Sequence, residues 1–163
     1  MSHSVTITRT TTNTSYIVLN TGYLKSFSGL LKLCQLLLGA AMVGIFSYYQ
    51  QNGYCFPGYD GIVFAFLMSV TFMIGTFCLL LSCLTSLSTG AIISKTIYEL
   101  IYHFVAAILL LACSLQVIII LSDRGHRGNK QLDAYFAAGI IGLINAALYF
   151  ISTLLAHRSY RGI

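Results

Sequence analysis

Four long apolar segments, separated by short polar ones, make up most of the chain. They cover residues 29–49, 61–84, 97–121 and 134–156. An α-helix rises about 1.5 Å per residue, so about 20 apolar residues cross a hydrocarbon core of roughly 30 Å. Each segment reaches that length. The pattern therefore predicts an all-α fold in which four helices span the membrane as a bundle.

The polar remainder is too small to form a second folded domain. Of the 163 residues, 57% are hydrophobic and 8% are charged. Residues 1–22 are rich in Ser and Thr, have little apolar content and show no helical period, so we expect them to be disordered. The predicted organisation is thus a disordered segment, 1–22, followed by a four-span domain, 23–161.

The basic residues indicate how the chain is oriented. The net charge of +5 forms no basic stripe, so we expect no nucleic-acid partner. Six Lys and Arg fall on the side of the two termini, against three on the other side. Because cytoplasmic segments carry the excess of Lys and Arg, both termini are predicted to be cytoplasmic. The six are Arg9, Lys25, Lys32, Lys95, Arg158 and Arg161, and the three are Arg124, Arg127 and Lys130.

Cysteine and histidine do not cluster in a way that supports catalysis. The four His are scattered, and no Cys-x-x-Cys pair is present. We therefore predict a protein that is not an enzyme, with no catalytic residue, metal or cofactor. Cys83, near the cytoplasmic end of the second span, is a candidate for S-palmitoylation. Cys55, in the first outer loop, is either a half-buried interface residue or a reactive thiol.

Ionisable residues inside spans are costly and often functional. Lys32 lies near the start of the first span and is expected to reach the headgroups. Glu99 and His103 are four residues apart in the third span, so they share a helix face, with Lys95 one turn earlier. This polar pair is either a structural pair inside the bundle or part of a proton or ion relay. No continuous polar path across the membrane is evident, which favours the structural pair.

Small residues recur at four-residue intervals in two spans. They are Ala40 and Gly44 in the first span, and Ala138, Gly142 and Ala146 in the fourth. Such spacing lets membrane helices approach closely. We interpret these positions as helix-packing sites. Use inside the bundle is favoured, and use toward an outside partner remains the alternative.

The entry to the first span resembles that of MARVEL-domain proteins. The relevant stretch is residues 23–39, YLKSFSGLLKLCQLLLG. It has an aromatic residue, Leu and a basic residue, then Gly-Leu, then Gln before a Leu-rich run that ends in Gly. The chain is most similar to the chemokine-like-factor-like MARVEL transmembrane subfamily. Further resemblance lies in Val5–Thr8, in the string Phe104–Leu109 and in the tail His157–Arg161.

This resemblance implies a membrane organiser or adaptor. Its expected roles are membrane apposition, vesicle trafficking or fusion, and an insect relative of the subfamily is linked to myoblast fusion. The implied partners are the lipid bilayer, including cholesterol, other membrane proteins by lateral contact, and a second copy of the chain. The implied locations are the plasma membrane and endosomal or vesicle membranes. The alternative hypothesis is a small channel or proton/ion transporter that uses the Glu99/His103 face.

Overall fold

A computed structural model describes residues 21–51, 60–85, 97–124 and 130–161, and helices account for nearly all of them. A short 3₁₀ helix, Thr21–Lys25, leads into α1, Phe27–Gln51. The other helices are α2, Asp60–Thr85, α3, Ile97–Arg124, and α4, Lys130–Arg161. Almost all of the segment predicted to be disordered lies outside the described residues, as do Cys55 and Lys95.

All four helices are long and apolar enough to cross a membrane. A helix satisfies its backbone hydrogen bonds internally, as hydrocarbon requires. The single proline, Pro57, lies between α1 and α2 and so interrupts neither helix. The predicted all-α, four-helix membrane bundle is therefore confirmed.

The start of α1 is fixed by the 3₁₀ helix that precedes it. The Ser26 hydroxyl accepts a hydrogen bond from the Gly29 backbone N–H at 3.1 Å, as a helix N-cap does. It also donates to the Tyr23 carbonyl at 2.6 Å. A side chain at position 29 would collide with the Tyr23 backbone. Gly29 therefore allows the 3₁₀ helix to fold back on the first turn of α1.

Neighbouring helices run antiparallel and close into a ring in which α1 also packs on α4. Near the start of α1, Gln35 donates a hydrogen bond to Ser152 near the end of α4, at 2.8 Å. Toward the end of α1, the Phe46 ring stacks on Tyr135 near the start of α4, with centroids 5.6 Å apart. The start of α1 and the end of α4 thus share one end of the bundle, called here the terminal end. The opposite end is the distal end.

Candidate functional site

Lys32 lies inside the terminal half of the bundle, with only 1% of its surface exposed. Its ammonium donates hydrogen bonds to Glu99 Oε1 at 2.6 Å, to the Tyr23 hydroxyl at 2.7 Å and to Ser28 Oγ at 3.1 Å. The expectation that Lys32 reaches the headgroups is therefore wrong. Its side chain turns toward α3 because the carboxylate there pairs with it directly.

Tyr23 covers this ion pair from the 3₁₀ helix. The Lys32 ammonium is 5.5 Å from the centre of the Tyr23 ring, within the range of a cation–π contact. Burial raises the pKa of the Tyr23 phenol. The phenol therefore stays protonated and neutral, and its oxygen accepts a hydrogen bond from the ammonium. The 3₁₀ helix thus contributes directly to the interior site.

Glu99 and His103 share one helix face, as their spacing predicted, and that face is the interior one, with 3% and 0% of their surface exposed. His103 Nε2 is 3.6 Å from Glu99 Oε1, which is too far for a hydrogen bond. Neither ring nitrogen of His103 has a hydrogen-bond partner among the described residues. The close partner of Glu99 is thus Lys32 of α1, a contact that the sequence analysis did not predict.

A second polar group joins α2, α3 and α4 beside His103. The Thr76 hydroxyl is hydrogen-bonded to the Tyr149 hydroxyl, and also to that of Tyr102 at 3.0 Å. The Phe72 carbonyl accepts from Tyr102 at 3.0 Å and from Tyr149 at 3.2 Å. The His103 ring lies 5.7 Å from the Tyr149 ring, between centroids. The two polar groups are therefore neighbours.

A third polar group lies between α1 and α4. Besides the bond from Gln35 to Ser152, Asn145 donates to the backbone carbonyl of Gln35 at 3.4 Å. Gln35 Oε1, Asn145 Oδ1 and Ser114 Oγ are buried without a hydrogen-bond partner among the described residues. Each such group costs about 1–3 kcal/mol. The hydrogen bonds of the interior thus offset only part of the free-energy cost of burying these polar groups.

These contacts connect both pairs of helices that lie diagonally opposite each other in the bundle. The Lys32–Glu99 pair connects α1 with α3, and the Thr76–Tyr149 hydrogen bond connects α2 with α4. Helices that face each other diagonally have little backbone contact, so long polar side chains bridge the space. Sliding one helix along another would separate these partners. The polar groups therefore fix the register of all four helices.

The interior of the distal half is mostly apolar, although Ser69, Ser114 and Gln131 are also buried in it. Phe46, Val117, Leu121 and Ala138 are buried there, together with Tyr135, which stacks on Phe46. Val117 also lies beside Gly139 of α4. Within the described residues, this layer separates the polar groups from the distal end of the bundle. A polar path across the bundle is not formed by these residues.

The small residues divide into an inner and an outer set. Ala138, Gly142 and Ala146 are buried inside the bundle. A side chain on Gly142 would collide with Ser114 of α3 and Met42 of α1, so glycine permits a close three-helix approach there. Ala40 and Gly44 are exposed, and no atom of the described residues lies within 4 Å of where a Gly44 Cβ would be. Those two positions of α1 do not pack inside the bundle.

Cys83, the candidate for S-palmitoylation, is not accessible in the structure. Only 1% of its surface is exposed, because its face of α2 packs inward. An acyl chain on this sulfur would have to displace the packing around it. Cys78, on the opposite face, is exposed.

Several polar residues were not predicted to lie in the interior, although the sequence contains a signal for it. Lys32 and Gln35 are three residues apart, as are Tyr149 and Ser152, and Asn145 is four residues before Tyr149. Such spacing places polar side chains on one face of a helix. Polar residues at helical spacing in an otherwise apolar span would have indicated the interior polar groups.

Comparison with known proteins agrees with this arrangement of helices. Residues 23–155 match the family described as the membrane-associating domain, MARVEL. The chain belongs to the MARVEL family. The MARVEL match begins at Tyr23 of the 3₁₀ helix, so it includes the complete Lys32–Glu99 site. It ends before Ala156–Arg161, the basic end of α4. Neither a curated protein nor a solved structure shows significant similarity to the chain.

Membership of the MARVEL family shows that the chain is a multi-pass membrane protein with a membrane-associating domain. The family match does not distinguish subfamilies. The resemblance to the chemokine-like-factor-like subfamily therefore stays a prediction.

Proposed function

We propose that this MARVEL protein is a non-enzymatic membrane organiser or adaptor that acts through lateral contacts in the bilayer. The observation that carries the proposal is the separation of polar and apolar side chains. The ionisable side chains inside the terminal half are buried and contact one another, whereas large apolar side chains of all four helices face outward. The widest ordered surface that this chain offers a partner is therefore the lipid-facing one.

The outer face of α1 supports lateral helix contact. Ala40, Ala41 and Gly44 are exposed there, and none of the side chains that the structure describes covers Gly44. Without a hydrophobic driving force between helices in lipid, membrane helices associate by close packing at small residues. This face of α1 is where we expect a partner's transmembrane helix, or a second copy of this chain, to dock.

The cellular role proposed is membrane trafficking, apposition or fusion, at the plasma membrane and at endosomal or vesicle membranes. The resemblance of residues 23–39 and of the tail to the chemokine-like-factor-like subfamily supports this choice. The charge count supports the accompanying proposal that both termini are cytoplasmic. Cholesterol is proposed as one lipid of the surrounding membrane.

Ion transport through the Glu99/His103 face receives less support. The Glu99 carboxylate is held by Lys32, and the apolar layer around Phe46 and Val117 lies between these groups and the distal end. A transported ion would have to cross that layer. We therefore expect no proton or cation flux from the purified protein in proteoliposomes.

Co-purification from native membranes in a mild detergent tests the proposal. We expect wild-type protein to retain a membrane-protein partner, and Gly44→Leu to lose it while staying folded and at the membrane. Gly44→Ala is the matched control and should keep the partner, because an added methyl group is small. Deletion of residues 1–22 should also leave the interaction intact. Loss of the partner on that deletion, with Gly44→Leu harmless, would place recognition in the N-terminal segment and refute the proposal.

A further inference from the structure

An apolar groove runs along the lipid-facing junction of α3 and α4. One part has a volume of about 590 Å³ between Phe104, Leu115, Leu143 and Phe150, and the exposed Ala147 also lines it. A second part of about 440 Å³ continues from Phe104 and Phe150 toward the terminal end. The two parts share those rings, so they form one continuous groove.

The groove ends among polar side chains. His157 lines its second part, and a smaller pocket beside it, lined by α4 residues alone, includes both His157 and Arg158. Both residues are exposed in the last turns of α4. The groove is thus amphipathic along its length, apolar in the middle of the membrane and basic at the terminal end.

The length of the groove matches one leaflet. Leu143 and Arg158 are 15 residues apart on α4, which is about 22 Å along a helix. Half of a bilayer, with its headgroups, is about 20–22 Å thick. A transmembrane helix of a partner would run across both leaflets. A lipid of a single leaflet fits this length better.

The charge at the terminal end selects the kind of lipid. Of the four acidic residues in the chain, Glu99 is buried and paired, and the other three lie at the distal ends of their helices. The exposed charged side chains described at the terminal end are Lys25, Arg158 and Arg161, all of them basic. A basic patch beside a transmembrane groove favours an anionic headgroup.

We propose that this groove binds a phospholipid with an anionic headgroup. One acyl chain lies between α3 and α4, and the headgroup phosphate or carboxylate contacts Arg158 and His157. The basic end of α4 lies outside residues 23–155, which are the ones that match the family. The inference goes beyond the proposed adaptor role and involves a different face of the bundle from Gly44.

Native mass spectrometry of the full-length protein with added lipid tests the inference. The probes are palmitoyl-oleoyl phosphatidylserine and phosphatidylcholine, which have the same acyl chains and differ in headgroup charge. We expect wild-type protein to retain phosphatidylserine roughly fivefold more strongly, the effect of one basic residue at an anionic surface. Arg158→Gln should abolish that preference. Arg161→Gln, a basic residue that does not line the groove, should keep most of it.

A second pair of variants tests the acyl chain. Ala147→Phe fills the groove and should weaken retention of both lipids. Ala147→Leu adds a smaller side chain at the same position, and it replaces the Phe variant if that variant does not fold. Ala137→Phe, at an exposed position of α4 away from the groove, should retain lipid as the wild type does.

Any one of the following results would overturn the inference. The first is equal retention of the two lipids by the wild type. The second is an equal effect of Arg158→Gln and Arg161→Gln, which would indicate diffuse attraction to charge. The third is unchanged lipid retention in both position-147 variants, or displacement of phosphatidylserine by cholesterol, which would assign the groove to a sterol. None of these results bears on partner binding at Gly44.

Discussion

Lys32 and Glu99 hold opposite charges inside the bundle, where water does not solvate them. Taking charges out of water costs several kcal/mol per ion, and the interaction of the pair offsets this cost only when geometry and additional hydrogen bonds are good. Here the ammonium has three partners, Glu99, Tyr23 and Ser28. The pair is therefore sensitive to loss of either member, because the remaining charge would be buried alone.

Glu99→Gln should lower the free energy of unfolding by about 3 kcal/mol, since breaking a buried pair leaves one charge uncompensated. The double variant Lys32→Met/Glu99→Gln should lose less than the sum of the two single variants. His103→Asn is the control in the same site and should lose at most about 1 kcal/mol, because its contact is weaker. Unfolding in detergent as sodium dodecyl sulfate is titrated measures each value.

Strictly additive losses from Lys32→Met and Glu99→Gln would contradict this account of the pair. So would a loss for His103→Asn as large as that for Glu99→Gln, since His103 would then be the main partner of the carboxylate.

At the residue scale, the sequence predicted which polar groups lie in the spans but not all of their partners. The spacing of Glu99 and His103 placed both on one face. The spacing within α3 contains no information about α1, so the pairing with Lys32 required the tertiary structure. A lysine close to a span end has two outcomes of similar cost, reaching the headgroups or pairing inside, and only the position of Glu99 decides between them.

Helix α4 is the element that most depends on small residues. Gly142 lies where α1, α3 and α4 meet, and Ala138 and Ala146 are buried one turn to either side. Helix α1 shows the reverse arrangement, because Ala40 and Gly44 face away from the bundle. The same spacing of small residues therefore has different uses in the two helices.

Gly142→Leu should destabilise the bundle by about 3 kcal/mol or more, because the added side chain would have to displace Ser114 and Met42. Gly44→Leu is the matched substitution on an outward face and should change stability by less than about 0.5 kcal/mol. Thermal unfolding and size-exclusion profiles in detergent measure both variants. A stable Gly142→Leu protein beside an unfolded Gly44→Leu protein would show that the inner and outer faces are assigned the wrong way round.

At the element scale, the number of helices followed from the length and hydrophobicity of the four segments. The inward face of each helix was harder to predict, because the side that contacts lipid and the side that contacts protein are both apolar. Hydrophobic periodicity distinguishes a core from water, and here the outside is as apolar as the core. Polar residues such as Gln35, Asn145 and Ser152 mark the interior instead.

The whole molecule combines a polar terminal half with a mostly apolar distal half. The polar half fixes helix register through contacts across both diagonals, and the distal half closes the interior with Phe46, Val117 and Tyr135. Such an interior gives the bundle one defined arrangement and leaves its outer surface apolar. Recognition through that outer surface, in the plane of the membrane, is the central claim.

Site-specific photo-crosslinking in native membranes tests this claim most directly. A photoreactive amino acid at position 44 lies on the proposed partner-binding face of α1, position 74 is an exposed control on α2, and position 10 samples the N-terminal segment. We predict that position 44 gives a discrete adduct with a membrane protein, and that positions 74 and 10 do not. A discrete protein adduct from position 10, with none from position 44, would contradict the account.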